Sequence, residues 1–247
     1  MYPRRVENVG RMTTPAERYA AAKLRGQHPV TTEFLLTFDF EFDPFQITAC
    51  HAVEDGKGVL VAAPTGAGKT VVGEFAAFFA LQAGKKCFYT TPIKALSNQK
   101  YAEFVAKFGE DRVGLLTGDT SINGEADILV MTTEVLRNML YAGSNTLTNL
   151  GCVVMDEVHY LADKFRGAVW EEVLIHLMES VQVISLSATV SNAEEFGEWL
   201  GEVRGETDVI VSEHRPIPLY QHVLINSSLI DLFSQPGKIN PEILQRE

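Results

Sequence analysis

Two short stretches carry residue types that could handle a phosphorylated ligand. The first is AAPTGAGKT, Ala62–Thr70, which follows the apolar run GVLVA and opens a helical pattern. Gly66 and Gly68 let backbone N–H groups turn inward around a phosphate, and the start of the helix adds favourable partial charge. Lys69 is placed to reach the β- and γ-phosphates, and the Thr70 hydroxyl to ligate Mg2+. Ala63, Pro64, Thr65 and Ala67 complete this loop; the strict pattern has Gly where Ala63 stands. The second stretch is VVMDEVHYL, Val153–Leu161, an apolar run that ends on Asp156 and Glu157. Alone, such a pair reads as a solvated turn. Beside a phosphate loop, Asp156 can hold the metal and Glu157 can orient or deprotonate the attacking water. Neighbouring strand residues face opposite ways, but at a strand's end the backbone turns and both can reach one site.

These residues need a scaffold that brings strand ends together. The strands expected are Gly58–Ala62, Lys86–Thr90, Arg112–Leu116, Ile128–Thr132, Cys152–Asp156, Val183–Ser187 and Val209–Ser212, since each is a Val/Ile/Leu-rich run bounded by turn residues. Between them fall helical patterns at Thr70–Gln82, Ile93–Phe108, Glu134–Tyr141, Ala168–Glu179 and Ala193–Leu200, with a short helix from Pro44. Near-continuous apolar strands joined by helices imply an α/β fold with a mostly parallel sheet covered on both faces. Ligands then bind beyond the carboxyl ends of the strands, where both stretches lie.

Of the 247 residues, 46% are hydrophobic and 21% charged, enough to bury a sizeable core. No apolar run approaches a membrane span, so no membrane partner is expected. Cys50, Cys87 and Cys152 sit in apolar surroundings without metal-ligand neighbours, and are expected as reduced core residues of a cytoplasmic protein. The net charge of -11 argues weakly against nucleic acid, because a local basic face can act on an acidic body. Arg4, Arg5, Arg11, Arg18, Lys23 and Arg25 face only Glu7 and Glu17 in the first 27 residues. Residues 1–30 therefore read as a basic arm with one helix, TPAERYAAAKLR. The arm is either a solvated tail or a phosphate-contacting one. Residues 31–212 form the domain. Residues 213–247 read as a linker or the start of a second lobe.

Nine stretches in order carry a resemblance: FDPFQ, APTGAGKT, TPIKALSNQKY, TGD, MTTEVLRNMLY, DEVHYL, RGAVWEE, LSATVSN and RPIPL. Together they resemble the RecA-like first motor lobe of a superfamily-two DExH helicase, of the Ski-like, exosome-associated RNA helicase group and its bacterial relatives. The resemblance implies ATP and Mg2+ as cofactors. It implies adenine recognition by Gln46 with Phe45, phosphate and metal binding by Lys69, Thr70 and Asp156, and water activation by Glu157. It implies that His159 links the nucleotide to the second lobe or to Ser187–Thr189, the segment associated with coupling hydrolysis to strand movement. Pro92, Ile93, Lys94, Thr117, Gly118, Thr132, Thr133 and Glu134 would face a single-stranded nucleic acid, with RNA the expected strand and RNA-decay machinery the expected setting.

The residues themselves support part of this. Lys94 opens a helix directly after a strand, so N–H groups and an ammonium converge where a strand phosphate could sit. Thr132–Glu134 repeats the arrangement, with a Thr expected as N-cap. Each of these has a plain structural alternative: Thr133 as a helix cap only, Lys94 in solvent, His159 in the core.

Helicases of this type use two such lobes, and the second supplies arginines to the γ-phosphate. No Gln-x-x-Gly-Arg-x-x-Arg-like segment occurs before Glu247, so the chain reads as a piece, or a natural short product, of a larger motor. The expected function is an ATP-dependent helicase motor lobe. The alternative is a nucleotide-gated nucleic-acid-binding module with little turnover by itself. A small-molecule kinase would need neither DEVH nor SAT.

Overall fold

The computed structural model describes residues 26–162, 167–188, 192–215, 220–235 and 237–244. The basic arm up to residue 25, with its expected helix, lies outside the described residues. The chain divides into one unit ending at Glu213 and a second running from His214 to Glu247.

The strands of the first unit are β1 (Gly58–Ala62), β2 (Lys86–Thr91), β3 (Val113–Thr117), β4 (Thr120–Ile122), β5 (Ile128–Thr132), β6 (Leu150–Met155), β7 (Gln182–Ser187) and β8 (Thr207–Val211). They form one sheet in the order β4-β3-β5-β2-β6-β7-β1-β8. All neighbours are parallel except β3 and β4. The α/β class and the mostly parallel sheet are as expected. The strand β4 was not: TSI is too short and polar to show periodicity, and it forms only because β3 offers it an antiparallel edge.

Among the described residues, seven α-helices flank the sheet: α1 (Pro29–Leu35), α2 (Pro44–Glu54), α3 (Thr70–Gln82), α4 (Lys94–Phe108), α5 (Thr133–Ala142), α6 (Gly167–His176) and α7 (Ala193–Arg204). Each central strand divides its side chains between two cores. On β6, Cys152 and Val154 join Phe34, Val72, Phe75 and Phe104 from α1, α3 and α4. Val153 and Met155 join Leu136, Trp170 and Leu200 from α5, α6 and α7. The three cysteines are free and buried. Among the described residues no helix is long and apolar enough to cross a membrane.

Helix α1 cuts across the boundary expected at residue 30. Its N-terminus is satisfied from a distance: Val30 N–H and Thr31 N–H donate to the two Glu54 carboxylate oxygens at 3.0 and 2.8 Å, and the Thr31 hydroxyl adds a bond of 2.6 Å. A cap supplied from the last turn of α2 leaves no local signature. Helix α7 runs four residues past its expected end. Arg204 closes it by donating to the carbonyls of Leu177, Met178 and Val181 at 2.7, 2.7 and 2.9 Å, and to Leu174 at 3.4 Å.

The second unit was expected as a linker or lobe start, and its described residues form two antiparallel hairpins. β9 (His222–Ile225) pairs with β10 (Ser228–Asp231), and β11 (Phe233–Gln235) with β12 (Lys238–Ile239), before a single turn of helix, α8 (Pro241–Leu244). Asn226 and Ser227 both take positive φ, 47° and 65°. That is the backbone of a tight primed turn, here without the glycine that usually announces one.

Candidate nucleotide and nucleic-acid site

The phosphate loop bridges the end of β1 and the start of α3. Gly66 and Gly68 adopt φ of 86° and 84°, in the left-handed region that side chains rarely take. A Cβ at Gly68 would also lie 2.5 Å from Gln46 Nε2. Lys69 is buried and folds over its own loop. Its ammonium donates to the carbonyls of Ala63 at 2.7 Å and Pro64 at 3.1 Å. Burial pulls the ammonium below the ordinary lysine range, while Glu157 and Asp156 pull it back up. The two carboxylates of the second stretch therefore act on the loop's cation. Ala63, Pro64 and Ala67 are buried, Thr65 and Gly66 exposed, and Thr70 half-buried at the head of α3.

β6 ends at Met155, one residue earlier than expected, although Asp156 N–H still bonds to the Thr90 carbonyl at 3.0 Å. Asp156 accepts two hydrogen bonds, from the Tyr89 hydroxyl to Oδ2 at 2.7 Å and from Glu157 N–H to Oδ1 at 2.9 Å. Glu157 takes φ 54°, left-handed for a residue with a side chain. This is the turn that releases the two adjacent carboxylates from opposite faces of a strand. Burial first, then the Asp156 charge, raises the Glu157 carboxyl above the usual range, with His159 and Lys69 opposing. His159 lies in the 3-10 turn Val158–Ala162. Its Nδ1 approaches Glu157 Oε2 to 3.3 Å, without the alignment of a hydrogen bond.

Ser187 ends β7, and its carbonyl accepts the Ala63 N–H at 3.1 Å, so the SAT segment is tied to the phosphate loop through backbone. Thr189 and Arg166 lie outside the described residues. Gln46 sits beneath the loop. Its oxygen accepts the Asp43 N–H at 2.8 Å in a capping box, and its amide donates to the Gly68 carbonyl at 3.0 Å. Phe45 packs on the core beside it.

The residues expected to face a strand gather at the ends of β2, β3 and β5. Thr91 and Thr132 are in register, so α4 and α5 open side by side. Their N-caps, Ile93 and Thr132, make no side-chain cap bond, which leaves the N–H groups of both first turns uncapped by those side chains. Thr132 holds the cap position but does not cap as expected. Thr133 is instead buried, its hydroxyl donating across to the Thr91 carbonyl at 3.3 Å. Lys94 is exposed, yet not free in solvent: both Asp119 oxygens lie 2.7 Å from its ammonium. The Thr117 hydroxyl donates to the same carboxylate at 3.2 Å. Gly118 and Glu134 are exposed, Ile93 is half-buried and Pro92 is buried.

Two residues to which the sequence reading gave no role bond to the site's expected residues, Tyr89 to Asp156 and Asp119 to Lys94. Tyr89 lies inside an apolar strand, where a tyrosine reads as core. Asp119 stands within TGD, but its partner becomes visible only when β3 is set beside the start of α4.

The DEAD/DEAH box helicase family profile matches residues 43–196. The chain is 60% identical over 217 residues to the probable helicase HelY of Mycobacterium leprae, covering 86% of this chain and 24% of that protein. It is 48% identical over 211 residues to the DExH-box ATP-dependent RNA helicase DExH15, chloroplastic, of Arabidopsis thaliana, covering 83% of this chain and 18% of that one. Among solved structures it resembles the Mycobacterium smegmatis helicase Lhr bound to ssDNA and AMP-PNP. The TM-score there is 0.59 at 31% identity, over 74% of this chain and 27% of that chain. The chain thus spans about a quarter of the length of the first of these relatives.

Proposed function

Because the chain belongs to the DEAD/DEAH box helicase family, we propose that it is the ATP-binding motor lobe of an ATP-dependent helicase that acts on single-stranded nucleic acid. The observation that carries this reading is the buried Lys69 of a glycine loop after β1, with Asp156 and Glu157, whose charges act on its ammonium, in the turn after β6. One cation and two carboxylates at a glycine loop are what a nucleoside triphosphate and a divalent ion require.

In this reading the loop N–H groups from Thr65 to Thr70 cradle the phosphates, and Lys69 exchanges the Ala63 and Pro64 carbonyls for β- and γ-phosphate oxygens. Thr70 and Asp156 would hold Mg2+, which when bound would neutralise phosphate charge. Among the described residues no three His, Cys, Asp or Glu side chains are grouped to hold a metal by themselves. An ion at Asp156 would therefore take further ligands from phosphate and water. Glu157 orients a water and takes its proton, and its raised pKa suits it to that task. His159 lies beside Glu157, and Ser187, the first residue of the SAT segment, accepts the Ala63 N–H of the loop through its carbonyl. Gln46 and Phe45 lie on the adenine side of the loop.

The uncapped starts of α4 and α5 suit two successive phosphates of a strand. RNA is favoured by the name of the DExH15 relative and by the Ski-like order of motifs, and RNA-decay machinery is the corresponding partner. The single-stranded DNA bound to Lhr is the reason to test both strands. The buried, free cysteines suit a cytoplasmic setting.

A second reading, a nucleotide-gated binding module with little turnover, is favoured by the described arginines of the first unit. Arg137 pairs with Glu172 at 3.7 Å, Arg204 is held by carbonyls, and Arg112 borders an aromatic pocket with Phe34 and Phe108. A cation brought to the γ-phosphate from outside the loop is worth roughly 10³–10⁵ in rate. Steady-state ATPase with and without single-stranded RNA or DNA separates the readings. Strand-stimulated turnover lost in Lys69→Ala supports the motor. Tight nucleotide binding with negligible turnover supports the module. Equal ATP affinity in Lys69→Ala and wild type would sink both.

A further inference from the structure

Tyr89 is a fully buried residue of β2 with a polar tip. Its ring packs edge-on against Phe104 of α4, centroids 5.1 Å apart at 80°, and the Lys100 ammonium lies 5.6 Å from the ring centroid. On the other side it lies against α3, where a Cβ added to Gly73 would come within 2.7 Å of Tyr89 Cε2. The ring is thus wedged between the helix that follows the phosphate loop and the helix that starts at Lys94. A phenol hydroxyl in an apolar core needs a partner, and this one donates to Asp156 Oδ2 at 2.7 Å. With Glu157 N–H on Oδ1, each Asp156 oxygen receives one donor among the described residues. The carboxylate plane is held at both ends, and the remaining lone pairs are left for other ligands.

We propose that Tyr89 is a positioning residue for the metal centre, orienting the Asp156 carboxylate through its hydroxyl, with Gly73 keeping the space its ring needs. The inference rests on the reading of Asp156 as a metal ligand given above. A plain core tyrosine that bonds to the nearest acceptor would fill the same volume. It would not matter to the metal.

The test is Tyr89→Phe in the 247-residue chain, read by titrating Mg2+ against binding of a fluorescent ATP analogue. Outer partners of metal ligands are worth about 10- to 100-fold in metal affinity. Here phosphate shares the ion, so the Mg2+ midpoint should rise about tenfold, at the low end of that range. Nucleotide affinity in EDTA should stay within about twofold, since the hydroxyl meets no phosphate. In an Asp156→Asn background, adding Tyr89→Phe should leave the midpoint where Asp156→Asn put it, because the hydroxyl acts through that carboxylate. An unchanged midpoint in Tyr89→Phe, or the same shift in both backgrounds, overturns the proposal. If Tyr89→Phe melts below the assay temperature, 3-fluorotyrosine at position 89 keeps ring and hydroxyl and alters the acidity of the donor. The midpoint must then move, and a fixed midpoint refutes the role. Lys69→Ala is run in parallel. If it binds nucleotide normally, the nucleotide site itself is wrong. If it loses binding while Tyr89→Phe keeps the wild-type midpoint, only the role of Tyr89 falls.

Discussion

The Lys94 ammonium sits 2.7 Å from each oxygen of the Asp119 carboxylate, at the mouth of the helix whose N-terminus faces the proposed strand path. If Lys94 contacts a strand phosphate, as proposed, Asp119 must yield the ammonium for that contact to form. Removing the carboxylate should free the cation. Asp119→Asn is expected to tighten binding of single-stranded RNA a few-fold at low salt, and Lys94→Ala to weaken it. Losing one phosphate contact lowers the slope of log affinity against log salt by about 0.7 for a single strand. Fluorescence anisotropy across a salt series measures both, and an unchanged slope in Lys94→Ala would remove that residue from the interface.

Asp156 and Glu157 are adjacent but differently held, so their substitutions should separate. Asp156→Asn is expected to impair Mg2+-dependent nucleotide binding, because it removes a ligand charge. Glu157→Gln should leave binding intact and abolish whatever hydrolysis the chain supports, because it removes the base alone. Binding isotherms and single-turnover hydrolysis measured side by side decide the matter. Equal loss of binding in both variants would contradict the division of roles.

Glu157 also makes a prediction about stability. Its pKa is raised in the folded state, so folding favours the protonated carboxyl. Its favourable contribution is therefore present below the ordinary glutamate pKa and lost as pH rises through the raised folded value. At neutral pH the ionised side chain works against the fold. Glu157→Gln should accordingly melt higher than wild type at neutral pH, with the gap closing as the solution is acidified below the ordinary glutamate range. Thermal melts across that range test this, and a gap that widens on acidification would reverse the sign.

Arg204 is a structural residue whose two terminal nitrogens are held by backbone carbonyls. Its two terminal nitrogens gather four carbonyls beyond and within the last turn of α6. Hydrogen bonds from a charged donor are worth about 1.5–3 kcal/mol net, so Arg204→Ala should cost about 2 kcal/mol or more. For a domain of this size that is a drop of roughly 4–8 °C in melting temperature. Arg204→Lys should recover only part of it, since one ammonium cannot span the fork. Full recovery by lysine would show that charge, rather than geometry, is what counts there.

The alternation of apolar strands and helical patterns was enough for the sheet, because burying such strands on both faces leaves few arrangements other than a helix-covered parallel sheet. The phosphate loop and the Asp156–Glu157 stretch were legible for a local reason. Glycines at positive φ, a lysine and a helix start are all set by neighbours in the chain. Elements whose partners are remote in sequence were not legible. Strand β4 exists because β3 presents an edge, α1 is capped by Glu54 across a loop, and the turn at Asn226-Ser227 lacks a glycine.

The same division runs through the site. The sequence by itself picked out the residues proposed to touch phosphate and metal, since residue type and local spacing are enough to nominate them. Only the tertiary structure decided how they are held: Tyr89 on Asp156, Gln46 under Gly68, Asp119 on Lys94 and the Thr133 hydroxyl on Thr91. Each of these is a hydrogen bond between groups from separate parts of the chain, and its geometry depends on strand order and register. A linear pattern contains neither, because both follow from how the whole sheet packs.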